Sequence, residues 1–283
     1  MSRPTVLSSL LLPVALAACN NARPAPVTPV TPATPRVDAP VAPPAVAPTA
    51  RFAADVVARI PHAPDAFTQG LEFYEGSLFE STGLYGRSTV RVLDPVTGSE
   101  SRRRDVAPEH FAEGLTVFGR RIYQLTYETH RCFVYDAATL APVAEHTYTG
   151  EGWGLTHDDR SLIMSDGTDT LRFIDPATFA VVRRVRVTDG GSPVTQINEL
   201  EMVEGQVFAN IWHGERIARI DPATGRVVGW IELPFSRDSL GLREPEAVLN
   251  GIAYEPSTRR LLVTGKLWPV IFEVRLRPVS DGG

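Results

Sequence analysis

The chain has 283 residues, 43% of them hydrophobic, and a formal net charge of −5. A surface that binds nucleic acid needs clustered Lys and Arg, so 33 acidic residues against 28 basic ones argue against that class of function. The hydrophobic fraction is sufficient for a well-buried core in one or two domains. Beyond the N-terminal region, no stretch approaches the ~20 apolar residues that a membrane-spanning helix requires.

The first 19 residues have the pattern of an export signal. Arg3 supplies a short basic region, and the apolar run from Val6 to Ala18 has the length of a signal core. The run ends in Leu16-Ala17-Ala18-Cys19, which is typical of a bacterial lipobox with Cys19 as the lipidated residue. The alternative is an ordinary cleaved signal peptide with a cysteine there by chance. A lipidated Cys19 satisfies the two-chain requirement for stable anchoring, so we expect a protein anchored in the bacterial envelope, facing the periplasm, with the outer membrane favoured.

Residues 20–50 are predicted to form a disordered linker. Nine prolines lie between Pro24 and Pro48 among Ala, Val and Thr, and such a segment has too little bulky apolar surface to fold. We therefore expect one folded domain over residues 51–283.

From Phe52 onward, short apolar runs alternate with Gly, Asp-Pro and Thr-Gly turns, which is the pattern of an all-β domain. The runs form five repeats spaced 40 to 52 residues apart. Each repeat opens with an anchor motif: Gln69-Gly70-Leu71, Glu113-Gly114-Leu115, Trp153-Gly154-Leu155, Asn198-Glu199-Leu200 or Asn250-Gly251-Ile252. Second and third strands follow at a fixed offset, and a fourth usually comes after them. A period of about 40–50 residues with four short strands is typical of propeller blades.

The sequence therefore predicts an all-β fold, a five-bladed β-propeller closed by its N-terminal strand. The fifth repeat offers only three strands, whereas the run Ala53–Ile60 ahead of the first repeat is strand-like. We expect this run to pair into the last blade, which removes an open sheet edge. The alternative architecture is a β-sandwich, which would leave the regular spacing unexplained.

Polar residues gather at the predicted centre, because the first strand of each blade lines the axis of a propeller. The residues that open the anchor motifs are Gln69, Glu113, Trp153, Asn198 and Asn250, and the second strands end near Tyr127, Trp212 and Lys266. Lys266 is the one lysine among 28 basic residues. This usage indicates that the position needs a compact ammonium and that a planar guanidinium would not fit.

The motifs of all five repeats, in this order, resemble the plant-type glutaminyl-peptide cyclotransferases and their bacterial relatives. The resemblance rests on Phe67-Thr68-Gln69-Gly70-Leu71, Phe111-Ala112-Glu113-Gly114-Leu115, Gly152-Trp153-Gly154-Leu155-Thr156, Asn198-Glu199-Leu200-Glu201, Asn210-Ile211-Trp212, and Asn250-Gly251-Ile252-Ala253 with Thr264-Gly265-Lys266-Leu267-Trp268-Pro269. It implies a five-bladed propeller that works without a catalytic zinc ion or any other cofactor. It also implies a reaction in which the α-amine of an N-terminal glutamine attacks its own side-chain amide, which releases ammonia and leaves pyroglutamate.

The resemblance implies roles for individual residues. Glu113 corresponds to the general acid/base, and Gln69, Asn198 and Lys266 correspond to the polar groups that act with it. The substrate-binding residues are aromatic apart from one amide, and they are Phe67, Phe111, Tyr127, Trp153, Trp212 and Asn250. Tyr127 departs from the family pattern, because many relatives have Trp there, so the preference for the residue after glutamine stays open.

Two other functions stay open at this point. One is a non-catalytic envelope lipoprotein that binds peptide or sugar. The other is a metal-dependent propeller hydrolase of the lactonase type, which needs a central metal held by several Asp, Glu and Asn residues. The predicted centre offers one well-placed carboxylate, or two with Glu199, so this reading ranks last.

We expect structural roles, not catalytic or metal-binding ones, for the histidines and Cys132. The six histidines show no metal-ligand spacing, and we expect surface or capping positions for them. Cys132 lies in an apolar strand-like run, and we expect a buried small hydrophobe rather than a nucleophile. We expect a monomer whose partners are peptides or proteins with an N-terminal glutamine.

Overall fold

The computed structural model of the protein describes residues 49–279. Within this part the chain is all-β, with one short 3₁₀ helix at Asp238–Leu240. No helix in the described part is long and apolar enough to cross a membrane. The predicted export signal with Cys19, and all of the predicted linker up to residue 48, lie outside the described residues. The first strand begins at Ala50, one residue before the predicted start of the domain.

Three four-stranded antiparallel sheets follow one another along the chain. The first contains β2 to β5, at Thr68–Tyr74, Ser77–Thr82, Thr89–Leu93 and Glu100–Asp105. The second contains β6 to β9, at Ala112–Phe118, Arg121–Thr126, Arg131–Asp136 and Pro142–Thr147. The third contains β10 to β13, at Leu155–His157, Leu162–Met164, Thr170–Ile174 and Val181–Arg186. A short hairpin, β14 and β15 at Thr188–Asp189 and Ser192–Pro193, precedes the next sheet.

The remaining strands form one eight-stranded sheet. Its order is β16, β17, β18, β19, β1, β22, β21 and β20. The corresponding ranges are Ile197–Val203, Gln206–Ile211, Arg216–Ile220, Val227–Glu232, Ala50–Pro61, Val270–Pro278, Arg260–Gly265 and Leu249–Glu255. The sheet therefore consists of the fourth repeat, the fifth repeat and the N-terminal strand between them.

The N-terminal strand pairs with the C-terminal strand, which confirms that prediction. β1 and β22 are antiparallel from the Phe52–Pro278 pair to the Pro61–Val270 pair. A feature that the sequence did not predict is the parallel pairing of β1 with β19, which begins at Ala50 and Gly229. β1 thus protects the outer edges of two repeats at once, and exposed edges of this kind promote aggregation.

The first strands of the five repeats follow one another around a closed ring. β2 lies beside β6 and β20, β10 lies beside β6 and β16, and β16 lies beside β20. The anchor glycines allow this approach, because a Cβ added at Gly114 would lie 2.5 Å from the backbone nitrogen of Leu155. A Cβ added at Gly154 would lie 2.1 Å from the carbonyl oxygen of Asn198. Small residues are therefore required where the first strands of neighbouring repeats meet.

The core fills the spaces between neighbouring repeats. It consists of five clusters, each with apolar side chains from two consecutive repeats. Residues of neighbouring repeats that share a cluster are, for example, Phe79 with Leu115, Leu125 with Leu155, Phe173 with Leu200, Phe208 with Ile252, and Leu71 with Leu262.

Two predictions about single residues have different outcomes. Cys132 is fully buried in one of the core clusters, and burial raises the pKa of its thiol well above the usual value, so it is the inert hydrophobe that was predicted. The prediction of a surface or capping position is wrong for His62, which is buried. Its Nε2 lies 3.0 Å from Glu80 Oε1, and Arg91 donates to the other oxygen of that carboxylate. Burial works against ionisation of Glu80, but His62 and Arg91 outweigh it and lower the pKa of Glu80 to about 2.

Candidate active site

Four of the five residues that open the anchor motifs lie in β-bulges. The ladder between the first and second strands skips in each case: between Thr68 and Gly70, Ala112 and Leu115, Ile197 and Leu200, and Leu249 and Ile252. The skipped positions include Gln69, Glu113, Asn198 and Asn250. A bulge takes a residue out of the ladder and re-aims its side chain, and bulges are frequent beside active sites. The fifth residue, Trp153, lies just ahead of β10.

Buried hydrogen bonds between repeats fix these bulges. Ser81 on β3 donates a hydrogen bond from Oγ to the backbone carbonyl of Glu113 in the next repeat. Ser165, directly after β11, donates from Oγ to the carbonyl of Asn198 at 2.7 Å. The end of one repeat therefore sets the position of a site residue in the following repeat.

The bulges open into one cavity of about 580 Å³. Nine of the ten predicted catalytic and substrate-binding residues line it: Phe67, Gln69, Phe111, Glu113, Tyr127, Trp153, Asn198, Trp212 and Lys266. Asn250 is the exception. Its side chain is fully buried beside the cavity wall, where Nδ2 donates to the carbonyl of Thr68 at 2.9 Å and to Gln69 Oε1 at 3.3 Å. The structure therefore gives Asn250 a contact with Gln69 in place of the predicted contact with substrate.

Glu113 is a buried carboxyl group that faces the cavity. It is 6% exposed, and within residues 49–279 no protein group donates a hydrogen bond to its carboxyl oxygens. Burial raises the pKa of Glu113 well above its usual value; the charge of Lys266 opposes this shift and that of Glu151 adds to it. Burial of a carboxyl without donors favours its neutral form, which brings its pKa closer to that of an amine.

Lys266 lies in the same cavity and is 5% exposed. Its Nζ lies 4.8 Å from the centre of the Phe67 ring, which is within the range of a cation–π contact. Burial lowers the pKa of Lys266, whereas the carboxylates of Glu113 and Glu246 oppose that shift. Gly265 precedes this lysine and packs on Trp268, because a Cβ there would lie 2.3 Å from the indole ring. A residue larger than glycine directly before Lys266 would therefore collide with Trp268.

Two amides, Gln69 and Asn198, form the polar floor of the cavity together with Glu113 and Lys266. Gln69 and Asn198 are both buried and both line the cavity. Since Gln69 Oε1 accepts the hydrogen bond from Asn250, the Nε2 group of Gln69 is the donor that remains for the cavity. The floor therefore offers amide donors and a lysine near a carboxyl group that has no hydrogen-bond donor among residues 49–279.

Aromatic rings form the walls in two groups. Phe111 contacts Phe67, Tyr85 and Tyr127 edge-on, with ring centres 5.9, 5.5 and 6.2 Å apart. On the other side, Trp153 and Trp212 meet edge to face at 5.7 Å. These walls place apolar surface around the buried polar groups, and a lower local dielectric strengthens electrostatic interactions there.

Sequence reasoning missed the acidic residues that hold the two tryptophans. Trp153 Nε1 donates to Glu151 Oε2 at 2.9 Å, and Trp212 Nε1 donates to Glu246 Oε2 at 3.2 Å. Glu246 also lies 3.4 Å from His213 Nε2. A signal for it existed, because the spacing between the fourth and fifth anchors is the longest of the series and leaves room for an extra loop. Other lining residues that were missed are Leu84, Tyr85, Arg87, Glu128, Glu244 and Leu267.

Glu199 does not face this cavity, although it was a candidate second carboxylate. Its oxygens accept hydrogen bonds from the backbone nitrogens of Leu71 and Ile252, so it ties the fourth repeat to the first and fifth. Glu72 and Glu201, also buried, act on neighbouring first strands in the same way. In the part of the chain that the structure describes, no group of three or more His, Cys, Asp or Glu residues is arranged to hold a metal ion.

A closed ring of strands with a buried carboxyl, a lysine and two amides in an aromatic cavity defines an all-β protein with a buried polar site. Comparison with known proteins narrows this class. The family model described as glutamine cyclotransferase matches residues 30–276. The glutaminyl-peptide cyclotransferase of Arabidopsis thaliana is 44% identical over 233 residues, which are 80% of this chain and 72% of that protein. The crystal structure of the glutaminyl cyclase of Myxococcus xanthus superposes with a TM-score of 0.78 at 42% identity and covers 82% of this chain and 100% of that one.

The chain belongs to the glutamine cyclotransferase family, since the family model covers most of its length. This confirms the family predicted from the repeat motifs.

Proposed function

We propose that the protein is a glutaminyl-peptide cyclotransferase that converts the N-terminal glutamine of peptides or proteins to pyroglutamate and releases ammonia. The observation that carries the proposal is the environment of Glu113. Its carboxyl group has a raised pKa, accepts no hydrogen bond from a protein group within residues 49–279, and faces the same cavity as the single lysine. The family relation supports the same activity, because the named relatives from Arabidopsis thaliana and Myxococcus xanthus carry this name or its short form.

The proposed reaction needs one group that both takes and returns a proton. The substrate α-nitrogen bonds to its own side-chain carbonyl carbon, the bond from that carbon to the amide nitrogen breaks, and ammonia leaves. Glu113 takes the proton from the attacking nitrogen and delivers it to the departing one, so no proton is gained or lost. A raised pKa suits both steps, because a carboxylate with an ordinary pKa is too weak a base to take a proton from an amine.

The other polar groups of the floor act on the amide oxygen. That oxygen gains negative charge when the tetrahedral intermediate forms, and Lys266, Asn198 and Gln69 are the donors available to stabilise it. Removing one donor of this kind typically lowers kcat by about 10²–10³-fold. The aromatic walls hold the substrate in the ring-closing geometry, and the entropy of bringing the amine to the amide is then already lost on binding.

A short peptide with N-terminal glutamine tests the proposal. Wild-type protein should release ammonia, with a mass loss that matches cyclisation, and the release should persist after treatment with a metal chelator. Glu113→Gln should lower kcat by about 10²-fold or more, because general acid–base catalysis is lost. Glu145→Gln is the matched control, since Glu145 lies on β9 and pairs with Arg131 at the surface.

Two outcomes would contradict this proposal. If wild-type protein releases no ammonia, the enzymatic function fails. If Glu113→Gln keeps more than half of the wild-type kcat while circular dichroism shows a folded protein, the role of Glu113 fails.

The finer architecture and the cellular location belong to the same proposal. The five groups of four strands around the ring are the blades of a five-bladed propeller, with β1 as the outer strand of the last blade. Its domain spans residues 51–283, and the protein acts as a monomer.

The export signal at residues 1–19, the linker at 20–50 and a lipid on Cys19 would hold this domain in the periplasm, at the outer membrane. Cys19→Ser should move the protein from the membrane fraction to the soluble periplasmic fraction, and unchanged membrane association would contradict the anchor.

A further inference from the structure

The mouth of the cavity, by which we mean its solvent-exposed lining residues, carries more carboxylates than cations among the described residues. Glu128, Glu244 and Glu246 line it above the floor. Glu128 and Glu244 are exposed to solvent, and Glu246 is partly exposed. Among the described residues that line the cavity, the basic ones are Lys266, which is buried, and Arg87, whose Nη2 lies 3.8 Å from Asp65 Oδ2. Since Asp65 offsets the charge of Arg87, the mouth presents a negative potential to an incoming ligand.

Aromatic rings stand beside these carboxylates. The Tyr85 hydroxyl donates to Glu128 Oε2 at 3.3 Å, and its side chain is among the few large apolar ones that are exposed, at 53%. Trp212 donates to Glu246 in the same way on the other wall. A cationic side chain that passes the mouth can therefore contact a carboxylate and a ring face together, and both interactions favour positive charge.

The floor independently shows that the cavity is built for a ligand. Glu113 and Lys266 are more than nine-tenths buried, face the cavity and have no hydrogen-bonding partner for their charged groups within residues 49–279. On the proposed function, the N-terminal glutamine occupies this floor. The second and third residues of the peptide must then leave through the mouth, beside Tyr85, Glu128 and Glu244.

We propose that the acidic mouth selects peptides in which Lys or Arg follows the N-terminal glutamine at the second or third position. The inference rests on the proposed function for the placement of the glutamine. Exposed charge pairs are weak, so the two exposed glutamates together should favour a Lys peptide over a Glu peptide by about tenfold in kcat/KM. The preference should shrink at high ionic strength, because exposed charges are screened.

The experiment compares three peptides that differ only at the second position: Gln-Lys-Ala-Ala, Gln-Ala-Ala-Ala and Gln-Glu-Ala-Ala. Ammonia release gives kcat/KM for each, at ionic strengths of about 0.01 M and about 0.3 M. In the double variant Glu128→Gln with Glu244→Gln, kcat/KM for the Lys peptide should exceed that for the Glu peptide by less than about threefold. The Ala peptide shows whether the double variant changes kcat/KM in general. Glu145→Gln removes one surface carboxylate away from the cavity and should leave the ratio unchanged.

A second readout separates this inference from the proposed function. Dissociation constants of the Glu113→Gln variant for the three peptides, measured through the fluorescence of the cavity tryptophans, report on the mouth with little turnover. If no peptide yields ammonia but the Lys peptide binds more tightly than the Glu peptide, the enzymatic function fails and the charge preference stands. Equal affinities and equal kcat/KM values for the Lys and Glu peptides would overturn the inference, as would a ratio that the double variant leaves unchanged.

Discussion

Lys266 and Glu113 line the same cavity at 5% and 6% exposure, yet no ion pair within 4.0 Å joins them in the described part of the chain. Burial raises the pKa of Glu113 and lowers that of Lys266, so it favours the neutral form of each group. The charge of each partner opposes the shift of the other. The two groups are thus near enough to influence each other's ionisation and are both free to contact a substrate. A direct salt bridge would instead pair the charges of Glu113 and Lys266 in the free protein. Their interactions with the transition state would then contribute less to catalysis.

The first prediction concerns the single lysine. Lys266→Met should lower kcat by about 10²-fold, because one donor to the developing oxyanion is lost. Lys266→Arg should restore less than about a tenth of wild-type kcat, since a planar guanidinium does not occupy the position of a compact ammonium near Phe67. Steady-state ammonia release measures both. An arginine variant with more than half of the wild-type kcat would show that the position needs only a positive charge.

The second prediction concerns Asn250, which we infer to be a positioning residue for Gln69. Asn250→Ala removes the hydrogen bond to Gln69 Oε1 and should lower kcat about tenfold, because the amide can then rotate away from the substrate. The double variant with Gln69→Ala should be no slower than Gln69→Ala alone. If the loss of kcat in the double variant equals the product of the losses in the two single variants, Asn250 acts independently of Gln69. Thermal unfolding of each variant separates loss of positioning from loss of fold.

The third prediction concerns the close contact between the third and fourth repeats. Gly154→Ala should destabilise the protein by about 1–3 kcal/mol, because the new Cβ would lie 2.1 Å from the carbonyl oxygen of Asn198. Gly205→Ala serves as the control, since a Cβ there meets nothing within 4 Å and only its positive φ opposes the change. Urea unfolding compares the two. A smaller loss at Gly154 than at Gly205 would contradict the close approach of the first strands.

The fourth prediction concerns stability against pH. Burial raises the pKa of Glu72 from 4.5 to about 8, although Thr116 and Val117 donate hydrogen bonds to it. The folded protein therefore holds a proton that the unfolded chain has released, and the stabilisation is full below pH 4.5 and disappears as the pH rises through 8. From pH 6 to pH 9 the free energy of unfolding should fall by about 2–3 kcal/mol on account of this group.

Urea unfolding at a series of pH values checks the fourth prediction. Glu72→Gln carries no titrating proton and should flatten the profile over the same range. Glu199 and Glu201, whose pKa values burial also raises, titrate in the same direction and keep part of the slope. Stability that rises between pH 6 and pH 9 would contradict the sign of these shifts.

Much of the site could be predicted from the sequence because the repeats are regular. Each anchor motif occupies the same place in its repeat, and in three of them a bulge turns the opening residue, which is Gln69, Glu113 or Asn198, toward the cavity. The spacing of the motifs therefore identified Gln69, Glu113 and Asn198 as neighbours before any distance was known. The composition singled out Lys266 in the same way, as the one lysine of the chain.

The carboxylates around the cavity could not be found by that reasoning. Glu151 and Glu246 lie in loops, where no periodic pattern fixes the direction of a side chain, and their role depends on hydrogen bonds to tryptophans from other positions. Asn250 illustrates the opposite error. Its position in the repeat is equivalent to that of Gln69, but its side chain contacts Gln69 from behind the wall.

By itself the sequence determined the all-β class, the five repeats, the family and nine of the residues that line the cavity, because these follow from patterns that recur along the chain. Only the tertiary structure decided which of those residues face the cavity and which support it. It also decided the direction in which the pKa values of Glu113 and Lys266 shift, because such shifts depend on burial and on charges that are distant in sequence. The parallel pairing of β1 with β19 is likewise a tertiary feature, since each strand needed an edge partner and the sequence pattern of either strand fits several.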